Sequence, residues 1–302
     1  MTGGTAASDG AANRGIGGRP LLAVSITMLL WASAFAGIRA GLEAYSPGEV
    51  AFLRFVVASL AAGVYLAVAR PPLPARRDLP ALLVLGFLGV TVYHLCLNYG
   101  EVTVSAGAAS ILIASNPVFT ALLAGPVLGE RLRRIGWVGI AVSFVGVVIV
   151  ALGEGGGLRF ESRAFIILVA ALSGALYFVY QKPYLRRYGT LPFTAYAILA
   201  GTLLLLPWLP GTVRALPSAP ASATLAIVYL GVFPAAIAYA TYAYAMSKAP
   251  APLVASFLYV SPAMAIVIAW LWRDEVPQGL SLLGGAVAIM GVIVVNRWGR
   301  AS

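Results

Sequence analysis

Residues 106–153 of this chain recur, without a gap, at residues 251–298. A shift of 145 positions sets Pro117 on Pro262, Ala124 on Ala269, Glu130 on Glu275, Gly139 on Gly284, Ala141 on Ala286 and Gly146 on Gly291. The register extends upstream, where Leu85-Gly86 meets Leu230-Gly231 and Tyr99 meets Tyr244. Matches of Ala, Gly and Val come easily in a chain so rich in them. A proline followed thirteen residues later by a glutamate, twice in one register, does not. A repeat this long restricts the fold to two similar halves, and it has to be settled before any other feature is read.

The solvent of those halves follows from composition. Of 302 residues, 61% are hydrophobic and 10% charged, and the mean hydropathy is +0.92. A soluble domain carries about 25% charged residues. Runs of about 20 apolar residues recur along the chain, each long enough to cross a bilayer as a helix. The alternation of an outer-membrane strand is absent. The predicted fold is therefore an all-α polytopic membrane protein with ten transmembrane helices: 21–38, 48–69, 79–99, 106–127, 134–152, 164–181, 191–209, 222–246, 251–271 and 279–296. Residues 1–18, made largely of Gly, Ala, Ser and Thr, read as a disordered tail. Residues 19–153 form the first five-helix repeat and 163–298 the second, together one transmembrane domain. The first span resembles a signal peptide, but its removal would leave nine spans and an unequal repeat.

Charge sets the orientation. Fourteen Lys and Arg fall on the side of the N-terminus, among them Arg70, Arg76, Arg77, Arg131, Arg133, Arg134, Arg186 and Arg187. Five fall on the other side, and Arg54 lies within a span. By the positive-inside rule both termini are cytoplasmic. The net charge of +10 is thus a topology signal and not a nucleic-acid footprint. Five spans per copy is an odd number, so the second copy starts on the opposite side from the first and the halves are inverted. Inverted repeats that surround a midplane site and rock between two states are an architecture of secondary transporters.

Particular residues carry a resemblance to a known family. They are Leu30-Trp31-Ala32-Ser33-Ala34-Phe35 in the first span, Ala51-Phe52-Leu53-Arg54-Phe55 in the second, Ser115-Asn116-Pro117, and Leu128-Gly129-Glu130-Arg131. The second copy offers Val260-Ser261-Pro262 and Asp274-Glu275. With these the chain resembles the drug/metabolite transporter superfamily in its ten-helix EamA form, over about residues 20–298. Within it the chain is similar to the YddG group, exporters of aromatic and other amino acids. The resemblance implies a multi-pass protein of the bacterial inner membrane that exports small organic metabolites, amino acids foremost, by alternating access. The expected partners are a small-molecule substrate and membrane lipid, with no nucleic acid; whether the protein is a monomer is left open.

Candidate site residues follow from depth. Trp31 and Phe35 lie one turn apart in span one, as do Tyr177 and Gln181 at the equivalent place in span six. Tyr239 and Tyr242 lie on one face of span eight, and Tyr259 is central in span nine. A deep tyrosine needs a hydrogen-bond partner and so faces inward; as a set these residues suggest an aromatic-lined cavity. His94 and Asn98 share one face of span three, and Asn116 is polar at mid-depth in span four. For His94 a structural role, a substrate contact and a proton carrier all stay open. Glu101 continues its face to the outer end, where a solvated carboxylate is expected. For Arg54 the first expectation is snorkelling or pairing with an outer acid such as Glu43, the second a substrate carboxylate. Glu130 and Glu275 are expected to complement the N-terminal ends of spans five and ten. Pro117 and Pro262, at mid-span in equivalent helices, are expected to serve as hinges.

One histidine, one cysteine and no P-loop leave no metal cluster, no cofactor and no catalytic set, so an enzyme is not expected. A carrier for another cargo, such as a drug or a nucleotide-sugar, and a non-saturable channel are the alternatives to an amino-acid exporter. No acidic side chain is expected at mid-depth in any span, which favours uniport or exchange over proton coupling.

Overall fold

The computed structural model describes residues 18–116, 118–120, 122–123, 133–154, 161–248 and 257–298. The expected tail, Pro117, Glu130 and the side chain of Tyr259 lie outside the described residues or side chains. Among the described residues all regular structure is helical. Helices fall on every expected span: α1 (Gly18–Gly41), α2 (Pro47–Ala69), α3 (Arg76–Gly100), α4 (Ala106–Ile113), α5 (Arg134–Glu154), α6 (Arg163–Tyr180), α7 (Thr190–Leu204), α8 (Ala221–Leu230, continued to Lys248), α9 (Ser261–Arg273) and α10 (Gly279–Trp298). By length and composition, α1, α2, α3, α6 and α8 can cross a membrane, and α7 can do so with Leu206–Ala215, at a bend of 48°. The others include shorter apolar helices at Ala106–Thr120, Arg134–Val150, Ser261–Arg273 and Gly279–Gly291.

Local chemistry sets the starts. Pro47 opens the first turn of α2, where a missing N–H costs nothing, and the Ser46 N–H donates to Glu49 Oε2 at 2.8 Å. The Ser105 hydroxyl accepts from the Ala108 N–H at 3.3 Å at the start of α4. Packing then follows the solvent. On α2, Leu60, Val64 and Val68 present an exposed apolar stripe, while Ala51, Phe52, Phe55 and Ala58 are buried on the inner side. An apolar outer face is what hydrocarbon stabilises.

The halves interlock. Helix α1 packs on α8 and α9 of the other half, and α6 packs on α3 and α4, the equivalent arrangement. The pairs α2–α7 and α5–α10 join equivalent helices. In the α5–α10 seam, Gly146 lies against Gly284 and Ala288, Gly291 against Gly139 and Ser143, and Gly153 against Ser281. One number falls as the other rises, so α5 and α10 run antiparallel. Small residues let the two backbones meet directly, a common device where lipid surrounds the helices.

Two irregularities repeat. A π-helical segment occupies Phe87–Val92 in α3 and Gly231–Ile237 in α8, in the 145-residue register. Ahead of the two prolines the helix also breaks. In the first half, α4 ends at Ile113, with Ala114 and Ser115 in a turn. In the second, Phe257–Val260 is a 3-10 turn before α9. Pro262 accordingly stands in the first turn of α9, after the N-cap Val260, and not in a helix interior; the expected mid-helix kink is instead a break just upstream, and the proline's missing N–H costs no bond there.

Candidate functional site

A cavity of about 100 Å³ lies where the halves meet. Equivalent positions of the repeat, from both halves, line it. His94 is matched by Tyr239, Asn116 by Ser261 and Ile113 by Leu258, each 145 residues on, and Trp31 by Tyr177 within one residue of that register. Phe35, Tyr93, Phe178 and Arg54 complete the working wall. The expected residues Trp31, Phe35, His94, Asn116, Tyr177 and Tyr239 are thus brought together.

The π segments place several of them. Trp31 Nε1 donates to the Pro234 carbonyl, at 3.1 Å, in the π segment of α8. On the other side the Tyr177 ring lies over Gly89, in the π segment of α3; a Cβ there would come within 2.5 Å of the ring. An irregular helix frees carbonyls and lets rings approach the backbone, and such segments collect at functional sites. His94 Nδ1 lies 2.9 Å from the Val90 carbonyl. A carbonyl only accepts, so Nδ1 carries a proton, and in the neutral ring Nε2 is then the acceptor. The Asn116 amide donates to the Ala171 carbonyl at 2.9 Å, tying α4's continuation to α6.

Three expected residues lie elsewhere. Asn98 is fully buried but off the cavity; its amide donates to the Pro47 carbonyl at 2.9 Å. Gln181 is the C-cap of α6, beyond the wall. Tyr242 stands behind the wall, its ring 4.9 Å from that of Trp31.

The charged residues differ most from expectation. Arg54 neither snorkels nor pairs with Glu43. It is 3% exposed and lines the cavity, with Phe55's ring 5.5 Å from its guanidinium carbon. Glu43 binds Arg273 instead. Glu101 is not solvated: it is fully buried, and neither carboxylate oxygen has a hydrogen-bond partner. Burial holds its carboxyl well above the usual carboxylate range; the charge of Arg39 opposes the rise, that of Glu275 adds to it, and that of Arg54 opposes it to a smaller extent. Glu275 does meet a helix N-terminus, but that of α4: its Oε1 accepts from the Ala106 N–H at 2.7 Å while Oε2 meets Arg39 at 3.2 Å. Arg39 also donates to the Glu101 and Val102 carbonyls. One end of the bundle is therefore pinned between halves by Arg39–Glu275 and Glu43–Arg273, and the other by Asp78 with Arg187 and Tyr188.

Comparison with known proteins agrees with this architecture. The profile of the EamA-like transporter family matches twice, over residues 18–152 and 162–297. The uncharacterized transporter YdfC of Bacillus subtilis (strain 168) is 43% identical over 272 residues, 90% of this chain and 89% of that one. A probable terminal-alkyne amino-acid exporter of Streptantibioticus cattleyicolor is 42% identical over 279 residues, 91% and 92% of the two chains. The uncharacterized inner membrane transporter YedA of Escherichia coli (strain K12) is 28% identical, covering 89% and 87%. A protein of known crystal structure shares the fold, with a TM-score of 0.62 at 22% identity over 93% of this chain and 96% of that one. The chain belongs to the EamA-like transporter family and is a membrane transporter.

Proposed function

We propose that the protein is a secondary transporter that exports small organic metabolites, amino acids including aromatic ones foremost, by alternating access through the central cavity. In this reading ten transmembrane helices form two inverted five-helix repeats in a bacterial inner membrane, with both termini cytoplasmic. The observation that carries it is the cavity wall, built from repeat-equivalent residues of both halves. A site on a pseudo-twofold axis can be exposed to either side by the same motion run in opposite senses. The antiparallel course of α5 and α10, equivalent helices of the repeat, supports the inversion. The paired helix breaks, each next to a cavity-lining residue (Asn116 and Ser261), supply the hinges. The aromatic walls suit an apolar side chain, and the name of the Streptantibioticus relative supports amino acids as the class.

The test is purified protein in liposomes loaded with unlabelled L-phenylalanine and diluted into labelled L-phenylalanine. The expected result is saturable uptake that accelerates with internal substrate. Flux that neither saturates nor shows counterflow would make the protein a channel.

A further inference from the structure

We propose that Arg54 is the carboxylate anchor of the cavity, so that the transported solutes are those carrying a carboxylate, as anion or zwitterion. This rests on reading the cavity as the transport site. Arg54 is 3% exposed in the wall of the cavity, and its buried Nε has no hydrogen-bond partner. Among the described residues the ion pairs are Arg39–Glu275, Arg187–Asp78 and Arg273–Glu43, and none includes Arg54. Of the other acids on the nearby end of the bundle, Glu49 is engaged by the Ser46 N–H, Glu161 by the Arg163 N–H, and Asp274 is exposed. Glu101 is buried and lies off the cavity wall; it makes no hydrogen bond to Arg54, and the two interact through space only.

A guanidinium without an ion pair inside a membrane protein is costly, and such groups mark ligand or counter-ion sites. The planar fork of arginine matches a carboxylate with two parallel N–H···O bonds, a match no neutral group makes. The rest of the wall fits the rest of an amino acid. The rings of Trp31, Phe35, Tyr177 and Phe178 offer an apolar surface and π faces for an ammonium. His94 Nε2, left as acceptor by the bond from Nδ1 to Val90, adds a polar handle of the right sense. The register places Leu199 at the equivalent of Arg54 in the second half, and its neighbour Ile198 is buried in an apolar cluster, so no cation stands there. The anchor is therefore single, and it orients an asymmetric solute within a symmetric wall.

The experiment is equilibrium binding of labelled L-phenylalanine to purified protein, competed by 3-phenylpropionate (carboxylate, no amine) and by phenylalaninamide and phenethylamine (no carboxylate). Wild type, Arg54→Gln, Arg54→Lys and Arg54→Gln/Glu101→Gln are compared after size-exclusion shows each folded. The carboxylates are expected to compete and the other two to be at least tenfold weaker. Arg54→Gln should weaken phenylalanine by roughly 30-fold or more and erase the discrimination, while Arg54→Lys keeps part of both. Were Arg54 only balancing Glu101, the double variant would restore binding; the anchor predicts that it does not. Equal competition by acid and amide in wild type, or discrimination intact in Arg54→Gln, overturns the proposal. If wild type neither binds nor transports phenylalanine, the cargo reading fails separately. Labelled 3-phenylpropionate then decides the anchor: binding lost in Arg54→Gln retains it, and no binding to wild type overturns it.

Discussion

A Cβ added at Gly146 would lie 2.2 Å from the backbone nitrogen of Ala288 and 2.6 Å from the carbonyl oxygen of Gly284. Ordinary contact begins at 3.4 Å, and the obstructing atoms belong to a helix backbone that cannot rotate away. Gly146→Ala therefore has to part α5 from α10 by about 1 Å, and a packed interface does not yield that distance without losing contacts on both sides. Overpacking of this kind costs about 1–3 kcal/mol. Alanine's better helix propensity returns at most about 1 kcal/mol, and Gly63→Ala measures that return alone, since nothing lies within 4 Å of its Cβ. Gly291→Ala should match Gly146→Ala, because its Cβ meets Ser143 N at 2.3 Å and Gly139 O at 2.5 Å. The double variant should cost less than the sum, since the first methyl already parts the helices. Thermal loss of monodisperse protein in detergent, followed by size-exclusion, measures all four against wild type. The reasoning is refuted if Gly146→Ala is as stable as Gly63→Ala.

Trp31→Phe keeps a ring in the wall but removes the donor to the Pro234 carbonyl; a loss of about 0.5–1.5 kcal/mol, with weaker substrate binding, is expected from thermal shift and binding titration. Glu101 has its pKa raised by folding, so its contribution is complete below the unfolded carboxylate pKa and is lost as pH rises through the folded value. Melting curves from pH 4 to pH 9 should show that decline in wild type and a flatter profile in Glu101→Gln, and parallel profiles would refute the assignment. Pro262→Ala permits α9 to extend back through the 3-10 turn at Phe257–Val260. A lower maximum transport rate with unchanged affinity is expected, and an unchanged rate would place the hinge elsewhere.

The repeat and the helix positions were legible because both leave marks in one dimension: matched prolines, glutamates and glycines, and apolar runs of span length. Which face of a span points inward was not, since most spans are apolar all round. Arg54 illustrates this. Its depth in α2 suits snorkelling as well as a cavity, and only packing against α3 and α8 decides. Glu101 lies one residue past α3, where sequence suggests water; in the fold Arg39 of α1, 62 residues away in the chain, reaches its carbonyl. Asn98 shares a helical face with His94, yet the intervening wall of the cavity stops at Leu97. The π segments had one local signal, Pro234 inside α8. Gly89 in α3 gives no comparable cue, and the register between the halves is what links the two.

The repeat divides the molecule's physics in two. In the proposed rocking motion, features that have to work alike in both orientations are duplicated: the π segments, the helix breaks, the glycine seam and the aromatic pair Trp31 and Tyr177. A solute with a carboxylate at one end and a side chain at the other has no twofold axis, so a perfectly symmetric wall would bind it in two opposed poses with equal affinity. Specific recognition needs the symmetry broken at a few positions. The structure breaks it at Arg54, with Ile198 near the equivalent place, and at His94, where the equivalent is Tyr239. Both breaks fall in the cavity wall and neither in the seam. Substrate choice should therefore respond to substitutions at Arg54 and His94, whereas substitutions in the duplicated parts should alter stability and turnover for every solute alike.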